Sequence, residues 1–170
     1  MREHKWDLTR LSSGEISALK RSAGTMKDSC GVDAIEAFYK SLITSCRPWE
    51  EEYWFAALCM QCLWRLEDHP QVKPFEEILR QTYQDSETSD SSKKQCINYM
   101  DMPWGKDGFL LGKICHLARK MRAENAALMP DFERLAEDLT HWNRPERSVQ
   151  RKWMRTIFVN DNQNNEKEKN

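Results

Sequence analysis

Arg144, Arg147, Arg151 and Arg155 recur at spacings of three and four, and they carry the most specific chemical signal in this chain. On an α-helix turning about 100° per residue they fall within an arc of roughly 80°. Val149, Trp153 and Ile157 gather on nearly the opposite side. One side packs and the other presents guanidiniums. The planar fork of arginine suits phosphate oxygens, so the stripe points to holding a nucleic-acid backbone without reading its bases. The competing reading is a solvated face paired with nearby carboxylates such as Glu137, Asp138 and Glu146. Lys113 and Lys120, seven apart and close in angle, extend the patch, with Arg119 and Arg122 beside them. Trp104 is the one aromatic expected to stack on a base.

Catalytic chemistry finds no constellation. Gly105 and Lys106 lack the earlier glycine and the Ser or Thr of a phosphate loop. His4, His69, His116 and His141 form no pair at i, i+4 and no His-Glu-x-x-His arrangement. Glu137 and Asp138 are adjacent, so on a helix they face different ways and cannot share acid-base work. Cys59 and Cys62 make a lone Cys-x-x-Cys with no second pair, which reads as two small apolar side chains in a buried helix and not as zinc ligands. No metal, no cofactor and no enzymatic activity are expected.

The composition sets bounds on the rest. A chain of 170 residues buries about 70% of its unfolded surface, so its core needs no staple. The six cysteines read as free thiols, because a disulfide scaffold is normally shorter and denser in cysteine. The apolar run Phe55 to Met60 falls far short of the ~20 residues of a membrane span. The first residues, Arg2, Glu3, His4, Lys5 and Asp7, have no apolar stretch of the kind a signal peptide carries. A cytoplasmic location without membrane contact is expected. Net charge is -1, but its distribution is uneven. Residues 1–100 hold 13 basic and 16 acidic side chains, residues 101–160 hold 11 and 8, and the last ten hold 2 and 3.

The elements that must position these groups are helices from end to end. Ser12 and Glu15 have capping-box spacing, and Gly24 can close the helix they open. A second helix from Asp33 aligns Ile35, Phe38, Tyr39 and Leu42. A third, roughly 49–68, is apolar nearly all round and is expected to form the core. A short helix with Phe75, Ile78, Leu79 and Tyr83 follows Pro70 and Pro74. Residues 84–95 hold no apolar side chain and read as a polar loop. Further helices are expected over about 107–128, from Asp131 through Leu139, and from an Asn143 cap with Pro145 in its first turn. The expected class is all-α: a bundle over 1–100 and a second over 101–160 joined by the polar linker, with a flexible tail over 161–170.

The segment from Pro130 to Trp153 resembles the C-terminal signature of the CasB family, the small subunit of the type I-E CRISPR Cascade complex. That signature reads Asp-Trp, an amphipathic helix ending in Leu-x-x-Trp, and a basic helix with a Trp and a closing aromatic. Here Asp131 is followed by Phe132 in place of the Trp, and Leu139 by Trp142. Leu11, Gly14, Ala18, Leu19, Lys20, Arg21 and Gly24 resemble the family's first helix, and Ala37-Phe38-Tyr39 its second. The resemblance implies two helical bundles without catalysis or cofactor, working in antiviral defence. It implies a pair of copies beside the backbone and large Cascade subunits, with the guide RNA and the target and displaced DNA strands as partners in an R-loop. Carried over by position, Lys20 and Arg21, Arg119 and Lys120, and Arg144, Arg147 and Arg151 are the family's nucleic-acid-binding positions. The acidic, Ser-rich stretch Asp85–Asp90 and the Pro103 segment depart from the family pattern. The alternative is a helical protein-protein adaptor that never touches nucleic acid.

Overall fold

Helix signals dominate the chain, and helices build the protein. The computed structural model describes residues 3–84 and 89–168. In chain order the helices are α1 (Ser13–Arg21), α2 (Val32–Ser41), α3 (Glu51–Gln61), α4 (Phe75–Gln84), α5 (Ser89–Met100), α6 (Phe109–Glu124), α7 (Phe132–Thr140) and α8 (Ser148–Glu168). The all-α expectation therefore holds. No helix among the described residues is long and apolar enough to cross a membrane.

Several elements begin where local chemistry requires. Ser12 Oγ accepts from the Glu15 N–H at 3.2 Å, and Glu15 Oε1 accepts from the Ser12 N–H at 3.0 Å, which closes the capping box of α1. The chain leaves α1 through Gly24 at φ +84°, where a Cβ would stand 3.2 Å from Cys115 Sγ. Asp131 caps α7 by accepting from the Arg134 N–H at 3.1 Å. Phe132, Leu135, Ala136 and Leu139 are buried on that helix, at the spacing the sequence shows.

Other expectations need correction. On α2 the buried residues are Ala34, Ala37, Phe38 and Ser41, and Tyr39 is 46% exposed. The Tyr39 hydroxyl donates to Glu51 Oε2 at 2.6 Å at the surface, and Lys27 donates to the same oxygen at 2.9 Å. α3 stops at Gln61 instead of reaching residue 68: the chain tightens into turns at Leu63 and Trp64, Arg65 is extended, and a separate short 3-10 turn, Leu66–Asp68, precedes His69 at φ +41°. The polar stretch read as a loop over 84–95 is helical from Ser89 onward, and residues 85–88 lie outside the described residues. Cys96, Tyr99 and Met100 anchor that helix by burying one face at i, i+3, i+4.

Strands also occur where no strand pattern was visible. β1 (Gln71–Lys73) pairs in parallel with β2 (Leu128–Pro130). The Gln71 N–H donates to the Ala127 carbonyl and the Asp131 N–H to the Lys73 carbonyl, both at 2.8 Å. Three residues are too few to reveal alternation, so only the meeting of two distant segments creates this sheet.

One continuous cluster of buried apolar side chains draws on both halves of the chain, among them Phe38, Phe55, Leu58, Leu110, Ile114, Phe132 and Trp153. α3 lies along α7 and supplies Trp54 through Met60, all buried. Cys59 and Cys62 belong to this core. Burial pushes the Cys62 thiol up to about 12, so it is a protonated, apolar side chain at neutral pH.

Glu76 is a buried carboxylate at the edge of that core, with the Arg134 guanidinium 3.7 Å away. Desolvation is the main influence and raises its proton affinity, Asp138 adds to it, and Lys152 and Arg134 oppose it. The folded chain thus holds this proton more tightly than the unfolded chain. Its favourable contribution is complete below the ordinary carboxylate range and fades as pH rises through the raised value. Glu76→Gln is expected to raise the melting temperature, and by more at about pH 8 than at about pH 4. Calorimetry across that range checks it, and a gain that is the same at both ends contradicts the assignment.

Candidate nucleic-acid interface

The basic C-terminal helix is positioned by a set of buried bonds that starts in α7. Asp138 Oδ1 accepts from Lys152 Nζ at 2.7 Å, and its Oδ2 accepts from Trp153 Nε1 at 2.9 Å. Gln150 Nε2 donates to the Trp142 carbonyl at 2.7 Å, and Trp142 Nε1 to the Met102 carbonyl at 2.9 Å. Trp153 stacks on Phe75 with ring centres 5.1 Å apart and meets the edge of Trp142 at 5.3 Å. Val149, Trp153 and Ile157 are buried as the apolar side of α8. Arg151 and Arg155 are exposed on the opposite side. Among the described residues no carboxylate lies within ion-pair distance of either. Glu137 pairs with Lys5 and Asp138 with Lys152, so two acids that would have neutralised the stripe are engaged elsewhere.

The stripe does not extend along the helix as expected. α8 begins at Ser148, so Arg144 and Arg147 lie in the preceding turn and share no helical arc with Arg151. Asn143, the expected cap, is used differently. Its Oδ1 accepts from the Trp104 N–H at 2.8 Å and its Nδ2 donates to the Trp104 carbonyl at 2.9 Å, like a strand neighbour. Arg147 sits at φ +52°, donates to the Met100 carbonyl at 2.5 Å and lies 3.3 Å from Asp101 Oδ1. It ties the α7–α8 turn to the end of α5 while its head remains half-exposed. Arg144 is exposed in the same turn. Trp104 is not a stacking platform: it is buried against Tyr53, with ring centres 5.2 Å apart.

The remaining cations come from neighbouring elements. α5 packs on α4 and reaches both α8 and α6: Lys93 Nζ lies 5.9 Å from the Phe158 ring centre, and Lys113 Nζ lies 5.7 Å from that of Tyr99. Lys120 Nζ stands 4.5 Å over the Tyr83 ring of α4. Arg119 is exposed beside Cys115, whose thiol burial pushes up and the guanidinium pulls back. Because Gly24 abuts Cys115, the end of α1 reaches α6 next to Arg119. Lys20 and Arg21 occupy the last turn of α1; Lys20 is exposed and Arg21 is 3.7 Å from Asp33. Both partners of that pair are largely exposed, so it binds Arg21 weakly. Cations thus occur on α1, α6, α5 and α8. Lys93 and exposed Lys94 were missed in the sequence because they fall in the stretch read as a loop; the Cys96, Tyr99, Met100 spacing just beyond is the signal that they lie on a helix.

An all-helical protein with cations on several of its helices is the class that fold and surface define. The family model for CRISPR-associated protein Cse2 matches residues 15–158, and the chain belongs to that family, the small subunits of type I-E Cascade complexes. The fold is similar to that of the crystal structure of M. ruber CasB, at 14% identity and a TM-score of 0.67, covering 92% of this chain and 90% of that one. No curated protein matches the sequence.

Proposed function

We propose that this subunit holds the phosphate backbone of a single strand without reading its bases, and so steadies the target and displaced DNA strands of the R-loop within Cascade. The observation that carries this reading is the pair Arg151 and Arg155, exposed opposite the packed side of α8 with no carboxylate in range among the described residues. Its partners are the backbone and large subunits, a second copy of itself and the guide RNA. It acts in the cytoplasm, without catalysis or cofactor. Tethering within the assembly supplies the affinity that a nearly neutral small chain lacks alone, by raising the effective concentration of the strand.

Arg147 is a poor residue for testing this, because its guanidinium also closes the turn onto Met100. Arg151→Glu with Arg155→Glu changes charge and leaves the packed side intact. Each single-strand phosphate contact contributes about -0.7 to the slope of log K against log salt, so losing two should flatten the slope by about 1.4. Anisotropy of a labelled single strand across a salt series, with assembled Cascade, reads this directly. An unchanged slope in this and every other basic variant leaves the protein-protein adaptor.

A further inference from the structure

We propose that the groove between α5 and α6 receives an unpaired nucleobase, stacked on Phe109, of the strand whose phosphates the cations hold. The inference rests on the nucleic-acid reading above and adds a base contact to it. Phe109 opens α6 and is 68% exposed, an unusual cost for a ring with a buried helix face beside it. Three residues on is Gly112, where a Cβ would have nothing within 4 Å. A glycine inside a helix costs roughly 0.5–1 kcal/mol relative to alanine. No close neighbour requires it here. Its effect is to leave the helix surface bare between Phe109 and His116. Tyr99 and Gln95 of α5 form the facing wall, and the groove holds about 430 Å³. That lies within the range of clefts that take small ligands.

The charge around the groove favours a nucleotide over an apolar peptide. Lys113 lines it, and Arg119 and Lys120 follow one to two turns along α6. Among the described residues lining the groove the one carboxylate is Asp107, whose Oδ1 already accepts from the Phe109 N–H at 3.1 Å. Gly108, at φ +74° against Met26, fixes the turn that presents the ring. A base stacks on an aromatic face without regard to its identity, which suits a protein that does not read sequence.

Two variants with opposite structural consequences test the groove in assembled Cascade. Phe109→Ala removes the ring, and Gly112→Leu fills space that is open, so it should fold at least as well as the parent. The probes are labelled oligothymidylate, oligouridylate and an abasic strand of equal length, which keeps the phosphates and lacks the bases. The parent should prefer a base-bearing strand to the abasic one by about tenfold, the scale of one base on an aromatic. Both variants should erase that preference and leave abasic binding unchanged. The tighter of the DNA and RNA strands identifies which one is bound. A preference that survives in both variants overturns the base site even where Arg151→Glu with Arg155→Glu still weakens binding. Loss of protein subunits from the complex in Phe109→Ala, with binding per complex intact, assigns the groove to a protein partner and also overturns it. If neither the groove variants nor the arginine variants alter strand binding, the nucleic-acid reading fails with it.

Discussion

Trp153→Ala is expected to destabilise the protein by about 4 kcal/mol, the range for removing a fully buried aromatic. The ring is buried, stacks on Phe75 of α4 and meets Trp142 at the end of α7, so its loss opens a cavity where three helices join. It also removes the donor that satisfies Asp138 Oδ2. A loss of this size is a large part of the total stability of an ordinary domain. Urea unfolding followed by circular dichroism measures it. A change below about 1.5 kcal/mol would mean that α8 is not held by this joint. Trp153→Phe keeps much of the apolar contact and loses only the indole donor, so it should cost distinctly less.

Asp138→Ala should cost about 3 kcal/mol, by a different mechanism. Asp138 is buried and accepts from two donors on α8, Lys152 at 2.7 Å and the Trp153 indole at 2.9 Å. Truncation leaves the indole N–H buried without an acceptor and strips the ammonium of its counter-charge. Lys152 is partly exposed and recovers some hydration, which keeps the figure below that of a fully buried pair. Asp138→Asn retains one oxygen and should lose roughly half as much. The same unfolding titration ranks the three chains. Equal stability for Asn and Ala variants would show that charge, and not the two-donor geometry, is what matters. Both residues bear on the proposed function because they orient α8, and the proposed strand contact needs Arg151 and Arg155 to point outward together, which they do only while the opposite side stays packed.

Several features were fully present in the local sequence. The Ser12–Glu15 capping box, the Asp131 cap, the apolar faces of α7 and α8, and the all-round apolar α3 each follow from residues within one or two turns of one another. So does the outward direction of Arg151 and Arg155, because helical periodicity alone sets them against Val149, Trp153 and Ile157. The CasB-like signature spans the same segments, and that is why the family was legible before the fold.

Tertiary contacts decided the rest. Asn143 left its capping role because the Trp104 backbone, 39 residues away, offers it a donor and an acceptor at once. That removed Arg144 and Arg147 from the helix and turned Arg147 toward Met100. Lys152, beside Arg151 in the sequence, is captured by Asp138 of α7. Tyr39 reads as core, yet Glu51 and Lys27 hold it at the surface. The parallel pair β1 and β2 exists only where two three-residue segments meet. Periodicity determines which way a side chain leaves its own helix; whether it then meets solvent, a carboxylate or a carbonyl depends on residues far away in the chain, which only the folded packing brings within bonding distance.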